Sequence, residues 1–178
     1  GSANVLEHVE SPTAGQLWAN SGSVAAGSAW TIFIRSAFAN GTANQYAFDA
    51  RNAASAVGVS FEAGTALYAG GFNATNSNNV VTGAIMIAGT QNLFFTTPGT
   101  SLQVYRNTTL FGTHDNGTSD PLPGSAAGTA RWRRQHAGLF ADWPVALPYA
   151  AVYNIALSST QRQYLHDAVT VGSAYAAN

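Results

Sequence analysis

The densest group of residues able to do chemistry is the segment Arg131-Trp-Arg-Arg-Gln-His136. In an extended strand side chains alternate between two faces, so Arg131 and Arg133 would share one face and Arg134 and His136 the other. Guanidinium groups bind carboxylates and sulfates through paired hydrogen bonds. The segment therefore predicts a cationic row for an acidic sugar. The alternative is that these arginines pair with the chain's own acids or with a neighbouring subunit.

A second candidate is Trp143, which follows Asp142 in a tight link between two predicted strands. An exposed indole offers a stacking platform for a sugar ring, and Asp142 would accept hydrogen bonds from sugar hydroxyls. The alternative is that Trp143 belongs to the core, where tryptophan is highly buried on average. Trp30 is expected to be structural, because Ile32 and Ile34 continue its face of a strand.

A long polar segment, residues 112–128, is rich in Gly and Pro, and loops longer than roughly a dozen residues are usually functional or disordered. Asp115, Asn116 and Asp120 carry the hard oxygen ligands that Ca²⁺ prefers. The alternative is that Asp115-Asn-Gly is simply a turn. His114 lies in the same segment and is included among the ligand-binding candidates. The expected cofactor is therefore none, or Ca²⁺ held by this loop.

Catalytic arrangements find little support in the sequence. None of the eight acidic residues lies two or four positions from another, so no strand presents a carboxylate pair for glycoside hydrolysis. A cross-strand pair such as Asp49 with Glu62 is the remaining possibility. No Gly-x-Ser-x-Gly elbow occurs, and the four histidines, expected at the surface or in loops, have neither metal nor triad spacing. We predict that the chain is not an enzyme.

The amino-acid composition disfavours nucleic acids as partners and insertion into a membrane. Charged residues make up 8% of the chain, against roughly a quarter in an average domain. A nucleic-acid binder needs a basic stripe, so this class is disfavoured. No run of about eighteen apolar residues occurs, which predicts no membrane insertion. Since there is no cysteine, disulfides and thiolate metal sites are excluded.

The 178 residues are enough for one domain with a full core. Gly1-Ser2 has the appearance of a protease-cleavage remnant, and residues 1–27 are interpreted as this remnant and an N-terminal arm with one short strand near residues 16–18. Residues 28–172 form the predicted domain and 173–178 a tail. The arm would pack on the sheet or on another subunit.

Turn-forming Asn, Asp, Gly and Pro punctuate short β segments along the chain, which is typical of a sandwich or barrel. We expect an all-β, antiparallel β-sandwich of two sheets with six or so strands each and one short C-terminal helix. The predicted strands cover residues 29–38, 45–51, 56–62, 65–71, 80–89, 92–96, 101–107, 109–113, 129–136, 138–141 and 145–153.

The last quarter of the chain predicts a strand followed by a capped helix. Residues 145–153 alternate at period two, which indicates a strand with one buried face. Ser158 and Gln161 have the spacing of a capping box, in which each side chain bonds an orphan backbone N–H. The apolar stripe expected to hold the helix on the sheet consists of Tyr164, Leu165, Ala168 and Val169.

The pattern Val152-Tyr-Asn-x-Ala-Leu-Ser-x-x-Gln-x-x-x-Leu165 resembles the closing strand and helix of concanavalin A-like and laminin-G-like jelly rolls. Gln161 stands where that family more commonly has an acid. Residues 30–35 resemble the family's early strand, and residues 102–107 with 111–113 resemble one of its hairpins. The resemblance covers most of residues 28–169 and implies a jelly-roll fold.

The resemblance further implies non-catalytic carbohydrate recognition or adhesion. The amino-acid composition, which has no Lys and is rich in Ala, Thr and Asn, is similar to that of bacteriophage virion proteins. The expected protein is a lectin-like domain at a virion surface or outside the cell, with a cell-surface glycan as its partner. The alternatives are a structural virion module that binds other virion subunits, with oligomerisation possible, and a glycan-degrading enzyme.

Overall fold

A computed structural model gives the fold of the chain. It describes residues 5–9, 29–38, 45–49, 59–63, 67–71, 89–98, 101–115, 131–132 and 149–170. These residues form antiparallel strands and one C-terminal helix, so the prediction of an all-β sandwich is confirmed. Among the helices of this described part, none has the length and apolar character needed to cross a bilayer.

The larger sheet has six strands in the spatial order β1-β10-β2-β6-β7-β8, and every neighbouring pair is antiparallel. The strands are β1 (Val5–Val9), β2 (Trp30–Phe38), β6 (Gly89–Thr97), β7 (Ser101–Arg106), β8 (Thr109–Asp115) and β10 (Tyr149–Tyr153). The central strands β2 and β6 are the longest and pair along their entire length. Strand β1 lies within the predicted N-terminal arm and pairs with β10.

The smaller sheet has four strands in the order β5-β4-β3-β9. These are β3 (Gln45–Asp49), β4 (Val59–Ala63), β5 (Leu67–Gly71) and β9 (Arg131–Trp132). Among the described residues the two sheets therefore have six and four strands, against an expected six or so in each. The predicted strands at 138–141 and near 16–18, and residues 80–88 of another, lie outside the described residues.

One face of the six-stranded sheet, called here the core face, is buried and mainly apolar along the central strands. Trp30, Ile32 and Ile34 of β2 are at most 2% exposed on this face, which confirms the structural role predicted for Trp30. Their neighbours across the sheet are apolar as well, for example Phe95 and Val104. Burial of such side chains is the main favourable term in folding.

The opposite face, called here the helix face, is covered by α1 (Ser159–Thr170). Phe33 and Phe94 are cross-strand partners on this face, with ring centroids 4.7 Å apart, and neither is exposed to solvent. Leu165 and Val169 of the helix pack against this pair, as the predicted stripe required. Tyr164 does not: it is 61% exposed, because its position lies on the far side of the helix from Leu165 and Val169.

Because the helix covers one face, β10 is buried on both faces rather than on the single face predicted for it. Ala150 and Val152 are fully buried on the core face, and Ala151 is fully buried on the other. The half-buried Tyr149 and Tyr153 pack against the aromatic cluster under the helix. The described strand is Tyr149–Tyr153, and residues 145–148 of the predicted strand lie outside the described residues.

The helix starts as its sequence predicts. The backbone N–H of Gln161 donates to Ser158 Oγ at 3.3 Å, and the N–H of Ser158 donates to Gln161 Oε1 at 2.8 Å. The predicted capping box is therefore confirmed, and it satisfies two N–H groups that would otherwise lack partners.

Candidate functional site

The predicted ligand-binding residues fall largely outside the described part of the chain. Arg131 is described through its backbone in β9, and His114 and Asp115 through theirs in β8. The last two residues therefore belong to a strand, not to the long loop predicted from residue 112. Those that lie outside the described residues are Arg133, Arg134, His136, Asp142, Trp143, Asn116 and Asp120.

Backbone register places Arg131 beside several residues that the sequence alone did not connect with it. One cross-strand row of the four-stranded sheet contains Tyr68, Glu62 and Tyr46 on three successive strands. The next row on the same face contains Ser60, Asp49 and Arg131. Residues directly opposite in antiparallel strands share a face of the sheet. We call these two rows the polar face.

The positions on the other face of this sheet are mostly apolar, with Gln45, opposite Ala63, as a polar exception. Val59, Phe61 and Ala63 of β4 alternate with the polar positions Ser60 and Glu62. In the neighbouring pair, Phe48 is opposite Trp132. A sheet with one apolar face and one polar face is the usual pattern when the apolar face packs on a core. This pattern predicts that the polar face is the one turned away from the core.

The two acids considered as a cross-strand pair are not directly opposite each other. Asp49 is opposite Ser60, and Glu62 is opposite Tyr46. Asp49 is instead directly opposite Arg131. Opposite charges at directly paired positions stabilise a sheet, typically by about 0.2–1 kcal/mol. The alternative for the arginine row was that its members pair with the chain's own acids. For Arg131, Asp49 is the candidate partner.

A second polar group lies between the helix face and the end of α1, and it is organised around Asn92, which has no exposed surface. Arg35 Nη1 donates to Asn92 Oδ1 at 2.8 Å. The amide nitrogen Nδ2 of Asn92 lies 2.7 Å from His166 Nδ1 and donates to Thr170 Oγ1 at 3.1 Å. Arg35 Nη1 also donates to Thr170 Oγ1, at 3.4 Å. We call Arg35, Asn92, His166 and Thr170 the Asn92 cluster.

The backbone of Asn92 is held as firmly as its side chain. Its N–H donates to Asn107 Oδ1 at 3.1 Å, and its carbonyl accepts from the N–H of Asn107 at 2.7 Å. Asn107 occupies the turn between β7 and β8 with φ at 56°, a left-handed conformation that Asn tolerates better than most residues. The turn and the helix therefore meet at one buried amide.

The hydrogen bonds fix the proton positions in this cluster. Arg35 can only donate, so the amide oxygen of Asn92 must face it and the NH₂ group must face His166. His166 Nδ1 then accepts, which places the imidazole proton on Nε2. Burial lowers the pKa of the Arg35 guanidinium from its ordinary value, since desolvation disfavours the charged form.

His166, expected to be a surface or loop residue, is in fact on the helix and only partly exposed. It lies on α1, is half-buried and bonds to the sheet. Arg162 is the other unexpected residue, because it is only 8% exposed although it is charged and was not part of the predicted stripe. Its guanidinium carbon lies 3.7 Å from the centroid of the Tyr105 ring, and its Nη1 donates to the carbonyl of Leu157.

No set of three or more His, Asp or Glu side chains able to hold a metal ion occurs among the described residues. Two of the three proposed Ca²⁺ ligands lie outside that part of the chain, so the calcium site stays a prediction. The sequence carries no strong signal for the Asn92 cluster. The Asn92 cluster joins positions 57 and 74 residues apart, and no local pattern connects them.

No protein-family model matches the sequence, and no curated protein matches it. Solved structures share the fold. The CBM40 domain of the Ruminococcus gnavus IT-sialidase aligns with a TM-score of 0.59 at 10% identity, over 91% of this chain and 99% of that one. The same domain has been solved bound to α2,3 and α2,6 sialyllactose.

Two larger proteins contain a similar unit. The binding domain of botulinum neurotoxin DC aligns with a TM-score of 0.54 at 11% identity, over 80% of this chain and 36% of that one. The Trypanosoma rangeli sialidase aligns with a TM-score of 0.55 at 12% identity, over 80% of this chain and 23% of that one. The chain thus spans about a third of the toxin chain and a quarter of the sialidase chain. At these identities the likeness concerns the fold.

Proposed function

We propose that this chain is a non-catalytic glycan-recognition domain whose binding surface is the polar face of the four-stranded sheet. The observation that carries the proposal is the juxtaposition of Tyr46, Glu62 and Tyr68 in one cross-strand row, beside Asp49 and Arg131 in the next. Aromatic residues supply apolar contact area with a polar tip, and carboxylates accept hydrogen bonds from hydroxyl groups. A sugar ring needs both.

The structural neighbours support this function. The CBM40 structures hold sialyllactose, and cell entry of botulinum neurotoxin type C is described as dependent upon interaction with two ganglioside molecules. A shared fold hosts many functions, so the residues of the site must carry the argument here. The two tyrosines and two acids of the polar face supply it from this chain's own sequence.

The residues predicted from sequence extend the proposed surface. In a continued strand Arg133 would share the face of Arg131 and Arg134 would lie on the other, and Trp143 with Asp142 would add an aromatic and an acidic group. A calcium ion at Asp115, Asn116 and Asp120 belongs to the same proposal, with carboxylate and amide oxygens as ligands. Binding by such a flat surface is weak for one copy and becomes useful through multivalency.

The setting that we propose is a virion surface or the outside of a cell, with a cell-surface glycan as the partner. The low charge, the absence of Lys and the richness in Ala, Thr and Asn support it. A multivalent fibre or spike would supply the several copies that weak binding needs.

A glycan array that includes bacterial surface polysaccharides, screened with and without Ca²⁺, tests the function. We expect binding to one class of sugar, and a loss on calcium removal if the loop holds the ion. Silence across the array from a folded protein would contradict the proposal and favour a protein-binding virion module. Reducing ends released from any bound polysaccharide would show instead that the chain is an enzyme, with Asp49 and Glu62 as the first carboxylates to replace.

A further inference from the structure

Arg35, His166 and Thr170 keep side-chain hydrogen-bond donors that the Asn92 cluster does not use. Asn92 uses its oxygen for Arg35 and its two amide protons for His166 and Thr170. His166 accepts on Nδ1, so the proton it can donate is the one on Nε2. Thr170 Oγ1 accepts from both Arg35 and Asn92, which leaves its own hydroxyl proton to be donated.

Arg35 carries a positive charge whose hydrogen-bond partners among the described residues are neutral. Its hydrogen bonds among the described residues go to a neutral amide and a neutral hydroxyl, both from Nη1. No carboxylate of the described part of the chain forms an ion pair with it. Asp167, the acid of α1, instead accepts from Gln163 Nε2 at 2.8 Å on the exposed side of the helix. The remaining N–H groups of the guanidinium form the fork that matches a carboxylate or sulfate.

The cluster is accessible although Asn92 itself is fully buried. Arg35 and His166 are half-buried, and Thr170, the last residue of α1, is exposed. Donor groups of three partly accessible side chains therefore lie next to the buried Asn92 amide. A rigid buried amide holds all three in place, which is the arrangement that an anion site requires.

We propose that Arg35, His166 and Thr170 form a binding site for an oxyanion, the carboxylate or sulfate group of an acidic saccharide. This site lies on the six-stranded sheet and is separate from the polar face, so it goes beyond the function proposed above. The carbonyl groups at the end of α1 carry partial negative charge and attract Arg35 as well. The alternative is that Arg35 has only a structural role. It would then stabilise the C-terminal end of the helix and bind no anion.

Titration of ¹⁵N-labelled protein with sodium glucuronate and with sodium sulfate, at constant ionic strength, tests the site. Glucose is the neutral control. We expect saturable shifts of the backbone signals of residues 90–92 and 166–170 with at least one oxyanion and none with glucose. A stronger response to glucuronate identifies a sugar carboxylate as the natural group, and a stronger response to sulfate identifies a sulfated sugar. Both responses support the proposal.

Two matched variants separate binding from structure. Arg35→Gln should weaken oxyanion affinity by about tenfold or more, because charge-assisted hydrogen bonds are lost. Arg106→Gln removes the same charge from the same sheet, where Arg106 is opposite Leu93 on the core-face side, and should leave the affinity unchanged. Equal losses in the two variants would show a general charge effect and overturn the proposal.

Asn92→Asp is the most direct test, because a carboxylate of the same shape would form an ion pair with Arg35 and compete with the oxyanion. We expect the folded variant to lose oxyanion binding. If this variant does not fold, Thr170→Val, which removes one exposed donor, should weaken binding by a smaller factor than Arg35→Gln. Absence of saturable shifts in the wild-type protein with both oxyanions would refute the site. Glycan binding on the array with no response to simple oxyanions would do the same while leaving the proposed function standing.

Discussion

Thr31 and Thr96 are cross-strand partners on β2 and β6 whose hydroxyl oxygens lie 2.6 Å apart in the buried interior. Thr31 Oγ1 also donates to the carbonyl of Ile155 at 2.9 Å and accepts from the N–H of Leu157 at 3.0 Å. Thr96 Oγ1 also donates to the carbonyl of Trp30 at 3.2 Å, so the two hydroxyl protons are shared among three contacts. One side chain therefore ties the connection between β10 and α1 to the middle of the sheet.

Thr31→Val should lower the free energy of unfolding by about 2–4 kcal/mol, because it leaves the Ile155 carbonyl and the Leu157 N–H without their partner. Urea denaturation measures the change. Thr109→Val, at an exposed position of the edge strand β8, is the matched control and should change stability by less than about 0.5 kcal/mol. A Thr31→Val cost no larger than that of the control would show that water replaces these bonds.

Three substitutions at and beside the capping box should change the stability of the protein by different amounts. Ser158→Ala should cost about 1 kcal/mol, since the N–H of Gln161 loses its acceptor. Ser159→Ala, one position further and exposed, should cost clearly less. Gln161→Glu keeps the reciprocal bond and adds a negative charge at the helix N-terminus, so it should stabilise by about 0.3–1 kcal/mol at low salt. Thermal unfolding at low and at high salt checks all three, and a salt-independent Glu effect would argue against the helix dipole as its cause.

Arg162 and Tyr105 should be energetically coupled. The guanidinium lies over the ring in a buried setting, where cation–π contacts are strongest, although Arg162 Nε has no hydrogen-bond partner. A double-mutant cycle of Arg162→Met and Tyr105→Leu should give a coupling of about 1–2 kcal/mol.

The control for this cycle is Arg106→Met with Phe111→Leu, a cation–ring pair whose separation is 5.3 Å and whose members are only half-buried. Its coupling should be smaller, about 0.5 kcal/mol. Equal coupling in the two cycles would indicate that burial does not strengthen the Arg162 contact. The single change Arg162→Met should cost less than its burial suggests, because methionine leaves no unpartnered polar atom.

The polar face should determine glycan affinity. Tyr68→Ala and Glu62→Gln are expected to weaken binding to the glycan found on the array by about tenfold each, since hot-spot aromatic and charged groups commonly contribute 1–2 kcal/mol. Tyr164→Ala removes an equally large, exposed ring from the helix and should leave the affinity unchanged. Affinity that survives both changes in the row would place the glycan site elsewhere on the molecule.

Local patterns were enough to predict much of the fold. The alternation from Trp30 to Ile34 predicts a strand with a buried face, and the spacing of Ser158 and Gln161 predicts the first turn of the helix, because both signals depend only on neighbouring residues. Strand bounds were less secure, as β6 runs from Gly89 to Thr97 where two separate strands were expected. Polar residues such as Gln91 and Asn92 carry no alternation signal, yet they are buried in this sheet.

The sequence by itself determined the chain's all-β character, its capped helix and its low charge, since these depend on residue types and short-range spacing. Tertiary structure alone decided that Arg162 would be buried, that His166 would bond to the sheet, and that Asp49 would be opposite Arg131. The physical reason is that strand register and helix docking join residues tens of positions apart. A single-residue change of register would move every side chain of a strand to the other face.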